Sequence, residues 1–320
     1  MMELYCGLDC GGTKTSCVLA DENGRILGKG ESGPSNYLTC SKELAAHSIK
    51  ESIQIAFDDA NLKPCRLRCT YAASAAIEVN NGAGHIPFLM SCIDTALIYA
   101  NSDAMPVWFA VARKEPAIVT ISGTGAVTYA FWGQQFIKSG GWGPWFGDEG
   151  SGYDIGRKLI NAASRTQDGR EDKTSILQSV CRHFAIDDFN QIYNILRAGD
   201  WRSIIASAAV CINDLYQNGD QAAVEILQNA SRELVLAVKT VLKRACFDRS
   251  VPLILSGGLL KDGQPLNSLV RQQLCNEDGI SEIVTPQVPI AVSAAAMALY
   301  ENGKENKAEE ILLNYREKQW

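Results

Sequence analysis

Most of the residues that announce a metal or redox site are scarce or badly spaced in this sequence. Its 320 residues include three histidines, His47, His85 and His183, scattered and without a motif around any of them. The 11 cysteines are an odd number and form no C-x-x-C pair. Cys65 and Cys69 come nearest to a ligand pair, but no second pair or nearby histidine completes a zinc site. The cysteines therefore read as reduced thiols packing as small apolar residues. Positive charge is also short. Thirty basic residues face 36 acidic ones, a net charge of −6, which argues against a nucleic-acid or anionic-membrane partner. No apolar run reaches the length of a membrane span. The opening "MMELYCGLDC" has neither a basic region nor a long apolar stretch, so no signal peptide is read there and a cytoplasmic location is expected.

What is present is an ordinary soluble composition, 46% apolar and 21% charged, in a chain long enough for two domains. From Leu8 the sequence runs "LDCGGTKTSCVLADENGRIL". Strands are expected over 4–9, 14–20 and 25–29, with Asn23-Gly24 as a hairpin signal between the last two. The glycine run at 11–12 is thus a turn between antiparallel strands and not a strand-to-helix phosphate loop. A helix is expected over 42–60, a strand over 67–73 and a helix over 85–98. "PAIVTIS" (116–122) reads as a buried strand, "GTG" (123–125) breaks it, and "AVTYAFW" (126–132) resumes as a strand. This repeats the opening design and suggests two related domains joined near 111–116. Beyond it the pattern is mostly helical: 174–184, 189–197, 200–216 and 221–246. "VPLILSGGLL" (251–260) is a strand entering a third glycine turn, and "AVSAAAMALY" (291–300) is a small-residue helix suited to close packing.

Three glycine turns after strands, at 10–15, 122–125 and 256–258, are sites where backbone N–H groups can cradle an anion. Together they resemble the actin-like ATPase superfamily of sugar kinases, chaperone ATPases and actin. "LDCGGTKT" is similar to its first phosphate motif, "ISGTGAV" to its second and "ILSGGLL" to its adenosine motif. "GGWGPWFGDEGSGYDIGR" (140–157) narrows the resemblance to the N-acetylglucosamine kinase branch of the BadF/BadG/BcrA/BcrD ATPase family.

The resemblance implies an α/β fold of two actin-like (ribonuclease H-like) ATPase domains. Each would have a mixed five-stranded sheet, with an ATP and sugar cleft between them. The domains would span 1–112 and 113–320, with the tail 304–320 packing back on the first. It implies a kinase that uses ATP and Mg²⁺ on an amino sugar, and a homodimer. Asp9 would hold Mg²⁺. Gly11, Gly12, Thr13, Lys14 and Thr15, with Gly123, Thr124, Gly125, Gly257 and Gly258, would bind the nucleotide. Asp103, just before a helix at Ala104, would be the base for the sugar hydroxyl. Asn36, Gly141, Trp142 and Asp148 would contact the sugar, as does Gly125 in the resemblance. A family glycine turn expected before residue 80 is displaced here to Gly82 and Gly84. Two alternatives stay open. One is an ATPase that activates a dehydratase or reductase through an iron–sulfur cluster, for which no cysteine motif is found. The other is a regulator that binds nucleotide or sugar without catalysis.

Overall fold

The computed structural model describes residues 2–37, 39–171, 174–197 and 199–317. In chain order the first elements are β1 (Leu4–Cys10), β2 (Thr15–Asp21), β3 (Ile26–Ser32), α1 (Lys42–Asp59), β4 (Leu67–Ser74), α2 (Ile86–Cys92), β5 (Thr95–Asn101) and α3 (Ala104–Ala112). Next come β6 (Ala117–Ser122), β7 (Ala126–Trp132), β8 (Gln135–Gly140), α4 (Gly152–Gln167), α5 (Ile176–His183), α6 (Ile192–Arg197), α7 (Trp201–Ser207) and α8 (Ile212–Gln217). The chain ends with α9 (Gln221–Ala245), β9 (Val251–Ser256), α10 (Pro265–Leu274), β10 (Ile280–Val284), α11 (Ile290–Glu301) and α12 (Glu305–Glu317). No helix among the described residues is long and apolar enough to cross a membrane.

The chain divides into two compact units, one of residues 1–113 with 286–320 and the other of residues 114–285. The expected second domain, 113–320, therefore stops at Thr285, because the last two helices pack with the first unit. The cause is at Gly7. A Cβ there would lie 2.1 Å from Ala295 N and 2.2 Å from Ala291 O, so the alanine-rich face of α11 rests directly on β1. Tail residues 318–320 lie outside the described residues.

Each unit is built on a five-stranded sheet, in the orders β3-β2-β1-β4-β5 and β10-β9-β6-β7-β8. In both, the first strand is central. It pairs antiparallel with the near strand of a hairpin on one side and, on the other, parallel with a later strand that is itself parallel to the outermost one. Alternation along β1 sorts the first unit into layers. Leu4, Cys6, Leu8 and Cys10 point into a core with Ile49, Ala56 and Phe57 of α1. Tyr5 points to the opposite core with Ala291, Ala294 and Ala295 of α11 and Ile311 of α12. Asp9 belongs to this second face. In the second unit Ile118, Ala130 and Leu253 of the sheet join Ile155 and Leu159 of α4 and Leu227 and Leu234 of α9 in one core.

Two helical expectations change. Residues 85–98 are not one helix: α2 ends at Cys92, and Thr95–Asn101 pairs parallel with β4. A short apolar run such as "TALIYA" reads as either state by periodicity, and the open edge of β4 decides for strand. Residues 200–216 are α7 and α8 with a tight 3₁₀ turn, Ala208–Cys211, between them. All 11 cysteines are free. Cys6, Cys10, Cys17, Cys69 and Cys92 are buried as expected, whereas Cys65, Cys246 and Cys275 are exposed.

Candidate active site

Asp9 is the ninth residue and the penultimate one of β1. Parallel register puts it opposite Ala73 of β4, which in turn lies opposite Asn101 of β5. Asp9 and Asn101 are thus two strands apart, roughly 10 Å between backbones, at the carboxyl edge of three parallel strands. That edge is where open α/β sheets take ligands. Asp103 follows two residues after β5, at the N-terminus of α3, and makes no capping bond with its side chain. The stretch leading to it is pinned. Asn101 Oδ1 accepts the N–H groups of Asn80 and Ser102, each at 2.9 Å, and Ser102 Oγ donates to Asp103 Oδ1 at 3.2 Å.

Both carboxyls are half-buried, and both are pushed up from the ordinary range. For Asp9 the main cause is burial, then the negative charge of Asp103, partly offset by Lys14, and its pKa rises to about 7. For Asp103 burial dominates, opposed by the Ser102 hydroxyl and the N–H groups of Ala104 and of Asp103 itself. Two buried acids with raised pKa at one sheet edge, one raised in part by the charge of the other, fit a divalent cation. Among the described residues no group of three or more His, Cys, Asp or Glu could hold a metal.

The three glycine turns share a division of labour. One glycine of each is demanded by packing: a Cβ on Gly11 would lie 2.7 Å from Lys14 O, one on Gly125 3.0 Å from Asp148 Oδ1, and one on Gly257 2.2 Å from Ser122 O. The partner glycine of each faces space. Gly12 meets only Thr39 Oγ1 at 3.8 Å, and Gly123 and Gly258 meet nothing within 4 Å. The turns are therefore rigid on one side and open on the other. Thr13 and Lys14 are exposed, and Lys14 Nζ pairs with Glu31 at the surface, an association worth about 0–1 kcal/mol. Thr15 departs from expectation. It is fully buried, and its hydroxyl meets Gly33 O at 2.7 Å and Ser35 Oγ at 2.6 Å, so it ties down the 33–35 loop and does not face a phosphate. The same loop is held by Ser35 and Asn36 N–H groups donating to Gly11 O, which leaves Asn36 buried beside the first turn.

In the second unit the 123–125 turn is locked to the start of α4. Gly152 N–H donates to Gly123 O at 2.7 Å and Tyr153 N–H to Thr124 O at 3.2 Å. Ser151 caps α4 through the N–H of Asp154. Asp148 is 3% exposed, and both its oxygens are engaged: Oδ1 accepts Ala126 N–H at 3.3 Å and Oδ2 accepts Arg202 Nη2 at 2.9 Å. Sequence reading had no signal for Arg202, which lies on α7 outside every motif. Gly141 has φ +68°, and a Cβ there would meet Val127. Trp142 is 71% exposed, with Lys138 Nζ 5.1 Å above its ring. Core packing beneath the loop is therefore not its role. Trp145 and Phe146 are also exposed.

The model of the BadF/BadG/BcrA/BcrD ATPase family matches residues 6–298. The chain belongs to this family. It is 30% identical over 266 residues to a protein of Clostridium acetobutylicum named N-acetylmuramic acid/N-acetylglucosamine kinase, covering 82% of this chain and 87% of that one. It is 25% identical over 313 residues to the N-acetyl-D-glucosamine kinase of Dictyostelium discoideum, covering 93% of this chain and 98% of that one. The fold is also that of a candidate N-acetylglucosamine kinase from Chromobacterium violaceum whose crystal structure superposes with a TM-score of 0.75 at 21% identity, over 93% of this chain and 99% of that one.

Proposed function

We propose that this protein is an ATP-dependent sugar kinase that transfers the γ-phosphate of Mg·ATP to a hydroxyl, the 6-hydroxyl, of N-acetylglucosamine or a close amino sugar. The observation that carries this reading is the pair of acids with raised pKa, Asp9 and Asp103, at the carboxyl edge of one sheet. The names of the family relatives support it.

Phosphoryl transfer demands little covalent chemistry of the protein. It demands positioning, a cation and a proton acceptor. Asp9 holds Mg²⁺, which supplies charge neutralisation at the phosphates when bound. Gly12, Thr13 and Lys14 meet the phosphates from the first turn, and Gly123 and Thr124 from the second. The weak surface pairing of Lys14 with Glu31 leaves the ammonium free to turn to an anion. Gly257 and Gly258 shape the adenosine side. Asp103 takes the proton of the attacking hydroxyl; its raised pKa makes it a better base than an ordinary carboxylate. Asn36, Gly141, Trp142 and Asp148 contact the acceptor, with the indole as a platform for the apolar face of the ring. Holding hydroxyl and γ-phosphate in line contributes on the order of 7–11 kcal/mol of barrier lowering.

The test is ADP release from Mg·ATP across N-acetylglucosamine, glucosamine, N-acetylmannosamine and N-acetylmuramic acid, with the product identified by mass spectrometry. A phosphosugar formed with one acceptor preferred establishes the kinase. ADP release indifferent to every sugar contradicts it.

A further inference from the structure

Arg202, the second residue of α7, has no place in any motif, yet its guanidinium lies against the 123–125 turn. A Cβ on Gly125 would sit 3.0 Å from Arg202 Nη2 and 3.0 Å from Asp148 Oδ1, so turn, cation and carboxylate meet at one point. Asp148 has φ +60°, a left-handed backbone that a non-glycine residue adopts only when its surroundings hold it. The helix that brings Arg202 is anchored hard. Gly156 of α4 makes room for Ile205 O, which would be 2.0 Å from a Cβ there. The Trp201 ring packs edge-on against Tyr153 at 5.8 Å. Asp200 caps α7 through the N–H of Arg202 itself. Within this frame Arg202 Nε is buried and has no acceptor, an uncommon state for a buried donor. The guanidinium is therefore held through the bond of its Nη2 to Asp148 and not through Nε.

We propose that Arg202 is the positioning residue of the acceptor site: its bond to Asp148 Oδ2 holds the carboxylate aimed, so that it accepts from a sugar hydroxyl. This rests on the reading of Asp148 as an acceptor contact. A carboxylate offers about four lone-pair positions, of which Arg202 and Ala126 N–H take one each. What remains can receive hydroxyl donors.

The test compares Arg202→Met, Arg202→Lys, Asp148→Asn and the double variant Asp148→Asn/Arg202→Met. It reads kcat, KM for N-acetylglucosamine, KM for Mg·ATP and thermal unfolding. Arg202→Met should raise the acceptor KM about fiftyfold with kcat within about threefold, and leave the Mg·ATP KM in place. Arg202→Lys should recover part of that loss. The double variant, which removes the buried charge together with its partner and so keeps the fold, should be no worse than Asp148→Asn alone. A raised Mg·ATP KM with an unchanged acceptor KM would make Arg202 a phosphate contact and overturn the proposal. So would a uniform fall in every parameter that tracks the folded fraction. If Asp148→Asn raises the acceptor KM and Arg202→Met does not, the proposal fails while the acceptor role of Asp148 stands. If Asp148→Asn itself leaves the acceptor KM unchanged, the acceptor role is what fails.

Discussion

The two units share one strand plan and treat their acids in opposite ways. In the first, Asp9 and Asp103 are brought to one sheet edge with no cation bonded to either, and Asp9 is driven up to about 7. In the second, Asp148 is more deeply buried but is matched by Arg202 at 2.9 Å. Stability alone favours the second arrangement, since a buried charge is tolerated when it is paired. The first arrangement makes sense only if something outside the chain completes it. Under the proposed function that is Mg²⁺ and its phosphates at Asp9, and a substrate proton at Asp103. Under that reading the difference separates acids that do chemistry from an acid that binds the acceptor.

The largest effect should come from Asp103→Asn. Removing the base should lower kcat by about 10³ with acceptor binding within about tenfold, measured by steady-state ADP release and by calorimetric titration of the sugar. Asp9→Asn should lower kcat/KM for Mg·ATP by about 10² and flatten the response to Mg²⁺ concentration.

The same residue carries a pH signature. The pKa of Asp9 is raised in the folded protein, so between its unfolded value near 4 and its folded value near 7 the native state binds the extra proton. Stability must then fall as pH rises through that window, by roughly 2–3 kcal/mol from pH 5 to pH 8. Chemical denaturation should show this slope in the free protein. Saturating Mg·ATP, or the Asn variant, should remove it.

The glycine pairs sharpen the comparison at a smaller scale. Gly125→Ala pushes a methyl into the Asp148–Arg202 pair and should cost about 1–2 kcal/mol of stability. Gly123→Ala meets open space and should leave unfolding within about 0.5 kcal/mol while weakening nucleotide binding. Differential scanning calorimetry separates the two. Trp142→Ala, at a ring that is mostly exposed, should change stability by less than about 0.5 kcal/mol and raise only the acceptor KM, as initial-rate measurements would show.

Much of this was legible in the residues. The strand, glycine turn, strand pattern occurs twice and is local, so both hairpins and the carboxylate in front of the first turn could be read directly. Asp103 was singled out only by the family resemblance, as an acid before a helix. What could not be read depends on contacts between distant positions. Nothing in "AVSAAAMALY" says that its alanines rest on Gly7, which is why 286–320 belongs to the first unit. The β5 strand needed the open edge of β4 to reveal itself. Thr15 sits in the first glycine motif beside the exposed Thr13 and Lys14, yet its side chain points inward because alternation along β2 puts it there. Arg202 has no sequence signal at all; only the packing of α7 on Gly156 delivers it to Asp148.

The most direct measurement is a single-turnover experiment with preformed enzyme, Mg·ATP and acceptor, comparing Asp103→Asn with Asp148→Asn. The two variants should cross. Asp103→Asn binds the sugar and does not transfer phosphate, while Asp148→Asn binds it poorly yet transfers at a rate near wild type once saturated. Wild-type transfer by Asp103→Asn would contradict the division between the acids of the two units.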